Sequence, residues 1–368
     1  MPTATTATPP PSSLDEIAEE SGETVEQAKA REAEEKLAAV EDRRFDADNP
    51  PPDPDPTISL QGTLVATPGN LVVLAGQAKS AKSHAISALL ASSMAPDTEG
   101  RDFLGFSAPN PDGKAVVYID CEQSETQFHK LVTGALHRAG LERPPEWFFG
   151  YTLTGLEPDA IRQTLKAVCD FARIRFGGVH FLAVDGFADL ISSPNDEIAA
   201  FNLVREIHET ALDLGAVIVG VIHHNAGQAE SLKMRGHLGS QAERKAETVL
   251  TCKKDAAGAV TMYTTAARHS PINEQNGSRF AWDDDAGMFL STTSKAETLN
   301  AEKAAERRKL VDDAFLDNKG MSHAELTDRI AELEGLKREA AKKRLAVLRK
   351  EGFVTVAVTG RYHKEEKA

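Results

Sequence analysis

Residues 71–94 read LVVLAGQAKSAKSHAISALLASSM, and no other stretch restricts the fold as much. An apolar run from Leu71 to Ala75 closes on Gly76, small and polar residues follow, and an apolar-periodic stretch begins after Lys82 and Ser83. Strand, glycine loop and helix in this order fit the phosphate-loop template G-x-x-x-x-G-K-[ST] through Gly76, Lys82 and Ser83. Ala81 stands where the template has its second glycine. The chemistry needs this arrangement, because backbone N–H groups of Gln77, Ala78, Lys79, Ser80 and Ala81 can wrap phosphate oxygens. The helix N-terminus adds partial positive charge. Lys82 would reach the β- and γ-phosphates of ATP, and Ser83 would hold Mg²⁺. Lys79 is an extra cation in the loop. With alanine at position 81, nucleotide binding is better supported than turnover.

Short apolar strands alternate with helices of 12–18 residues downstream. Strands are expected at Ala115–Asp120, Phe181–Asp185 and Ala216–His223, with helices over 124–139, 159–176 and 196–214. That rhythm predicts a three-layer α/β domain with a mostly parallel sheet. After residue 245 it changes: Ala246–Cys252 and Val260–Ala266 flank a turn at 254–258, and Phe280–Phe289 reads as one more strand. These predict antiparallel strands on one edge.

The strand ends carry the other chemical residues. Asp185 closes Phe181-Leu182-Ala183-Val184 and would hold Mg²⁺ through water. Asp120 and Glu122 follow another strand; Glu122 reads as a general base for water, Asp120 as a base or a helix-start charge. His223 and His224 end the next strand, and adjacent strand residues face opposite ways, so only one can point at the site. No further ligands at zinc spacing accompany them.

At 368 residues the chain exceeds one average domain. No apolar run approaches the about eighteen residues of a membrane span. The N-terminus lacks the basic and apolar segments of a secretory signal. The scattered Cys121, Cys169 and Cys252 read as reduced core residues of a cytoplasmic protein. The formal charge of −14 is unevenly spread. Residues 1–56 carry fifteen carboxylates against five Lys/Arg, a net of −10, whereas residues 335–364 carry nine Lys/Arg against two carboxylates, a net of +7. Clustering of this kind keeps nucleic acid open as a partner despite the low pI.

Three regions are expected. Residues 1–57 form an acidic tail with a disordered start, a solvated helix over 13–45 opened by Ser13 and Glu16, and a proline-rich linker. Residues 58–292 form the α/β domain. Residues 293–368 hold three helices and a hairpin, an order that resembles a winged helix-turn-helix. Its basic residues Lys337, Arg338, Lys342, Lys343, Arg344, Arg349 and Lys350, with Arg361 and Lys364 on the wing, would meet DNA phosphates.

The order GQAKSAKS, YIDCEQSE, LAVDGFADLI, VIHHN, RGHLGSQAERKAETVL and TAARHSP resembles the RecA-like ATPases of the plasmid RepA type, ring-forming helicases and their relatives. The resemblance covers residues 58–292. It implies a RecA-like fold, Mg-ATP at a subunit boundary and a homo-oligomer, expected as a hexamer around single-stranded DNA. By position it assigns Lys82 and Ser83 to the phosphate loop, Asp185 to magnesium, Glu122 to catalysis and His224 to γ-phosphate sensing. Arg268 stands where relatives carry an arginine finger acting on a neighbour; the lysine often found two positions earlier is Ala266 here. Arg235 is a second candidate, or a DNA contact from a pore loop over 226–238.

The resulting expectation is an ATP-hydrolysing, DNA-associated motor, a replication helicase or helicase-like ATPase of a plasmid, phage or mobile element. The acidic tail would meet a replication protein. A non-catalytic regulator that uses ATP only to assemble on DNA is the main alternative. A small-molecule phosphotransferase is disfavoured by the late hairpin with Arg268, the basic C-terminus and the lack of a lid segment.

Overall fold

The computed structural model describes residues 24–225, 232–316 and 320–365. The chain divides into two compact units, residues 1–53 and 54–368. In the first, helix α1 (Val25–Ala38) opens with a capping box between Thr24 and Gln27. It is laced by the i,i+4 ion pairs Arg31–Glu35 and Lys36–Glu32. The expected helix start at Ser13 lies outside the described residues.

The second unit is built on a nine-stranded sheet. Its parallel strands are β3 (Leu71–Gly76), β5 (Ala115–Asp120), β6 (Phe148–Thr152), β7 (Val179–Asp185), β8 (Val217–His223) and β9 (Thr248–Lys254). The antiparallel edge is β10 (Val260–Ala267), β11 (Ser278–Asp283) and β12 (Met288–Thr292). The spatial order is β12-β11-β10-β9-β3-β8-β7-β5-β6, so β3 lies fully buried between β8 and β9. This is the α/β architecture of a RecA-like P-loop core.

Alternation along each strand divides the core in two. Val72, Leu74, Tyr118 and Phe181 face one side with helices α2 (Lys82–Met94) and α3 (Glu125–Ala139). Leu71, Val73, Ile119 and Leu182 face the other with α4 (Pro158–Phe176), α5 (Glu197–Leu214) and α6 (Gly236–Lys245). Helix α2 is apolar or small on every face and nearly all of it is buried, as an all-round apolar helix must be. A small antiparallel sheet of β1 (Ile58–Leu60), β2 (Thr63–Ala66) and β4 (Phe106–Ser107) covers its side of the core.

One expected element divides. Phe280–Phe289 is not a single strand but β11 and β12, joined by a turn. Asp283 Oδ1 accepts the Ala286 N–H at 2.8 Å, and Gly287 takes φ +63°, so the acidic run 283–285 reverses the chain instead of extending it.

Beyond β12, α7 (Lys295–Ala314), α8 (His323–Glu334) and α9 (Arg338–Lys350) precede the hairpin of β13 (Val354–Val356) and β14 (Tyr362–Lys364). Helices α7 and α8 open with capping boxes at Ser294 and Ser322. The residues expected to end the first of them, Asn318 and Lys319, lie outside the described part. Helix α9 buries Ala341, Leu345 and Leu348, one face at i, i+4, i+7. They belong to an apolar cluster confined to residues 310–362.

Candidate functional site

The site lies at the C-terminal edge of the parallel strands. Register pairs Gly76 with His223 and Asp120 with Asp185, which brings four strand ends to one edge of the sheet. Gly76 is sterically required: a Cβ there would come within 2.5 Å of Ser80 Oγ and 2.7 Å of the Cys252 carbonyl oxygen. Lys79 and Ala81 both take left-handed backbone, at φ +62° and +61°. At Ala81 the template's glycine conformation is kept without a glycine, at a cost of about 1–2 kcal/mol. Its methyl packs against the apolar core. Ala81 is also the N-cap of α2 and supplies no side-chain cap, so no capping side chain competes with an anion for the first-turn N–H groups.

Lys82 Nζ donates to the carbonyls of Gly76 (3.3 Å) and Gln77 (2.9 Å) and lies 3.2 Å from His223 Nδ1. An ammonium has only donors, so Nδ1 accepts and Nε2–H is left to donate. It faces Glu122 Oε2 at 3.3 Å. Lysine, imidazole and carboxylate thus form one chain. Burial pulls the Lys82 pKa below its ordinary value. The hydrogen bond from His223 holds Glu122 below the usual glutamate range, so it stays ionised as a proton acceptor.

Asp120 is wholly buried and accepts from Tyr118 Oη, the N–H groups of Glu122 and Gln123, and Gln123 Nε2, at 2.8–3.0 Å. Three of these bonds shape the turn that carries Glu122, as a positioning residue does. Asp185 hydrogen-bonds Ser83, and burial pushes its carboxyl up to about 6. Its Oδ2 is buried without a partner among the described residues. An orphaned carboxylate oxygen beside a hydroxyl fits a divalent cation, which in such sites takes few protein oxygens and completes its shell with phosphates and water.

The cleft holding these groups has a volume of about 730 Å³. Away from Lys82 it turns aromatic: His84 and Trp282 pack on Phe289 with ring centroids 4.9 and 5.5 Å away. Arg138 crosses beneath and donates to the carbonyls of Asp102 and Phe289. This end was invisible as a sequence motif; the only signal was a pair of aromatic residues flanking the acidic turn.

The imidazole beside Lys82 and Glu122 belongs to His223, whereas the sensor expectation fell on His224. Alternation along the strand lets only one of the two face the cleft, and the register with Gly76 selects His223. His224 is buried on the β9 side of the loop and bridges Met234. Arg268 follows β10 at the opposite end of the sheet, one residue beyond Ala267, which is level with Thr248 and Val72. Its N–H and guanidinium donate to the carbonyls of Glu247 and Lys245. Four strand steps, roughly 13 Å, separate that level from the phosphate loop, so Arg268 does not reach its own cleft. Arg235 is the N-cap of α6, donates its N–H to the His223 carbonyl, and lies within electrostatic reach of Asp189 near Glu122. Of the expected pore loop, residues 226–231 lie outside the described part.

The basic C-terminal residues divide as well. Arg344 grips Glu334 through Nε and Nη2 (2.6–3.1 Å), Arg338 pairs Asp328 and Lys342 pairs Glu339. Arg361 and Lys364 face Glu325 and Asp312. Lys337, Lys343, Arg349 and Lys350 are exposed and have no ion pair among the described residues.

A family model described as an AAA domain matches residues 31–229, more than half of the chain. This chain belongs to the AAA domain family. It is therefore a P-loop ATPase by family, with the nucleotide-binding function that implies. The AAA domain match includes the phosphate loop, Glu122, Asp185 and His223, and ends before β9. No curated protein matches the chain.

Proposed function

We propose that this protein is an ATP-hydrolysing, DNA-associated motor, a replication helicase or helicase-like ATPase of the RepA type. The observation that carries the reading is the Lys82–His223–Glu122 chain beside Ser83 and Asp185. It sets a phosphate-binding cation, a proton acceptor and a cation site around one end of a nucleotide-sized cleft. ATP lies with its phosphates on the loop and the α2 N-terminus, and its base toward Trp282 and Phe289. Lys82 holds the phosphate end. Glu122 orients the attacking water and takes its proton. His223 keeps Glu122 in place and senses charge at Lys82. Ser83 and Asp185 would hold Mg²⁺, which when bound neutralises charge on the phosphates.

Arg268, remote from its own cleft, acts on a neighbour's nucleotide, which makes the working form a ring, most simply a hexamer around single-stranded DNA. The C-terminal helices and hairpin act as a winged helix on duplex DNA through Lys337, Lys343, Arg349 and Lys350. The acidic N-terminal segment serves a replication partner in the cytoplasm. The second reading, a regulator that uses ATP only to assemble, draws on Ala81, Ala266 and the C-terminal cations already committed to carboxylates.

Steady-state ATP hydrolysis, measured with and without single-stranded DNA, separates the two. A motor hydrolyses ATP and is stimulated by DNA, and Lys82→Ala abolishes the activity. Hydrolysis that is absent under both conditions, with ATP still driving assembly, sinks the motor reading.

A further inference from the structure

A second cavity of about 310 Å³ lies on the β9 side of the phosphate loop. Gln77, Ala78, Lys79 and Ser80 form one wall; His224, Lys254 and Tyr263 stand across from them. Of its residues only Lys79 and Ser80 also line the first cleft. Three polar side chains here are more than nine-tenths buried, Thr251 at 1 %, Ser80 at 2 % and His224 at 6 % exposure, and Thr251 Oγ1 is engaged with Thr265 Oγ1 at 3.1 Å. Among the described residues, Ser80 Oγ and His224 Nε2 are buried atoms with no hydrogen-bond partner. Buried polar atoms are nearly always satisfied, so two on one small cavity mark a place for a ligand that can bond both.

The charges around the cavity give the ligand's sign. Glu274 is engaged by Lys253 (3.1 Å) and Lys295 (2.6 Å). Lys79 and Lys254, both exposed, have no ion pair among the described residues. Among the described residues no arginine lines the cavity, so its cations are lysine point charges, which serve as phosphate partners. Ammonium point charges with a hydroxyl and an imidazole, converging from different sides, suit a tetrahedral oxyanion.

We propose that this cavity behind the phosphate loop binds a phosphate group, held by Ser80, His224, Lys79 and Lys254, from free phosphate or a nucleic-acid backbone. The site is distinct from the nucleotide cleft and does not depend on ATP hydrolysis there. Because Ser80 belongs to the loop that closes the first cleft, occupancy of one site alters affinity at the other, and the effect is reciprocal.

Calorimetric titration of the full chain at low salt tests this, with inorganic phosphate and a thymidine oligonucleotide as separate probes. Phosphate taken up by the first cleft is removed by repeating each titration in a Lys82→Ala background. Two variants address the second cavity: Lys254→Glu reverses an exposed charge, and His224→Phe keeps a ring without its nitrogens. At least one probe is expected to bind in the Lys82→Ala background and to lose tenfold or more in affinity with either variant. Loss seen with inorganic phosphate assigns the site to the free anion; loss seen only with the oligonucleotide assigns it to a phosphodiester. Affinities for both probes that stay within twofold in Lys254→Glu, or an absence of binding by either probe, overturn the proposal. The exposed Lys254 keeps the test decisive even where His224→Phe does not fold.

Discussion

At the scale of single residues, Ala81 and Asp185 each hold an unfavourable state that the site requires. Ala81 takes the left-handed backbone at φ +61°, so Ala81→Gly relieves that cost and returns part of it through the freer unfolded chain. A net gain of about 0.5–1 kcal/mol is expected in urea denaturation. No change, or a loss, would mean that the backbone at 81 is unstrained. Asp185 is a buried carboxyl raised from an ordinary 3.8 to about 6, with burial as the main cause and its bond to Ser83 opposing. Between those values the folded chain binds the proton more tightly, so metal-free stability falls as pH rises from about 4 to about 6. Above 6 the ionised, buried group carries its full penalty. In metal-free protein, Asp185→Asn is therefore expected to stabilise the fold at pH 8 by on the order of 2 kcal/mol. The gain should fade as pH drops toward 4. Thermal melts across that range check it, and a gain independent of pH would contradict burial as the cause.

At the scale of elements, the strands that build the site were legible because each is an apolar run closing on a chemically distinctive residue. Gly76, Asp120, Asp185 and His223 each end such a run. Strand β6 was not legible. As the sheet's edge it is only half-buried, and Gly150 and Tyr151 break its pattern. The choice of His223 over His224 was likewise out of reach, since it rests on pairing with a strand about 150 residues away in sequence. The charge of the C-terminal segment was legible but its partners were not. Arg344, counted as a phosphate contact, spends its guanidinium on Glu334 at the base of the α8–α9 turn. Charge reversal at exposed Lys343 and Arg349 is therefore expected to weaken duplex DNA binding and flatten its salt dependence by about two ions. Arg344→Ala should instead lower the stability of the C-terminal helices. A filter-binding salt titration with parallel melts separates them, and a larger DNA defect in Arg344→Ala would reverse the assignment.

At the scale of the whole molecule, the nucleotide cleft and Arg268 lie at opposite ends of one sheet. No helix among the described residues is long and apolar enough to cross a membrane. If Arg268 completes a neighbour's site, Arg268→Ala binds ATP normally and hydrolyses it slowly, by a factor on the order of 10³. Mixing it with Lys82→Ala restores part of the activity, because some interfaces then pair an intact loop with an intact arginine. Mixtures without recovery would place the missing charge elsewhere, with Arg235 the nearest alternative.

The motor reading depends on the cleft hydrolysing ATP through Glu122, whose orientation Asp120 and His223 fix. The most direct measurement compares nucleotide affinity and steady-state turnover in wild type and Glu122→Gln. Affinity is expected to stay within about threefold while turnover falls at least about 100-fold, the range for losing a general base. A Glu122→Gln protein that turns over ATP at the wild-type rate would contradict the catalytic assignment.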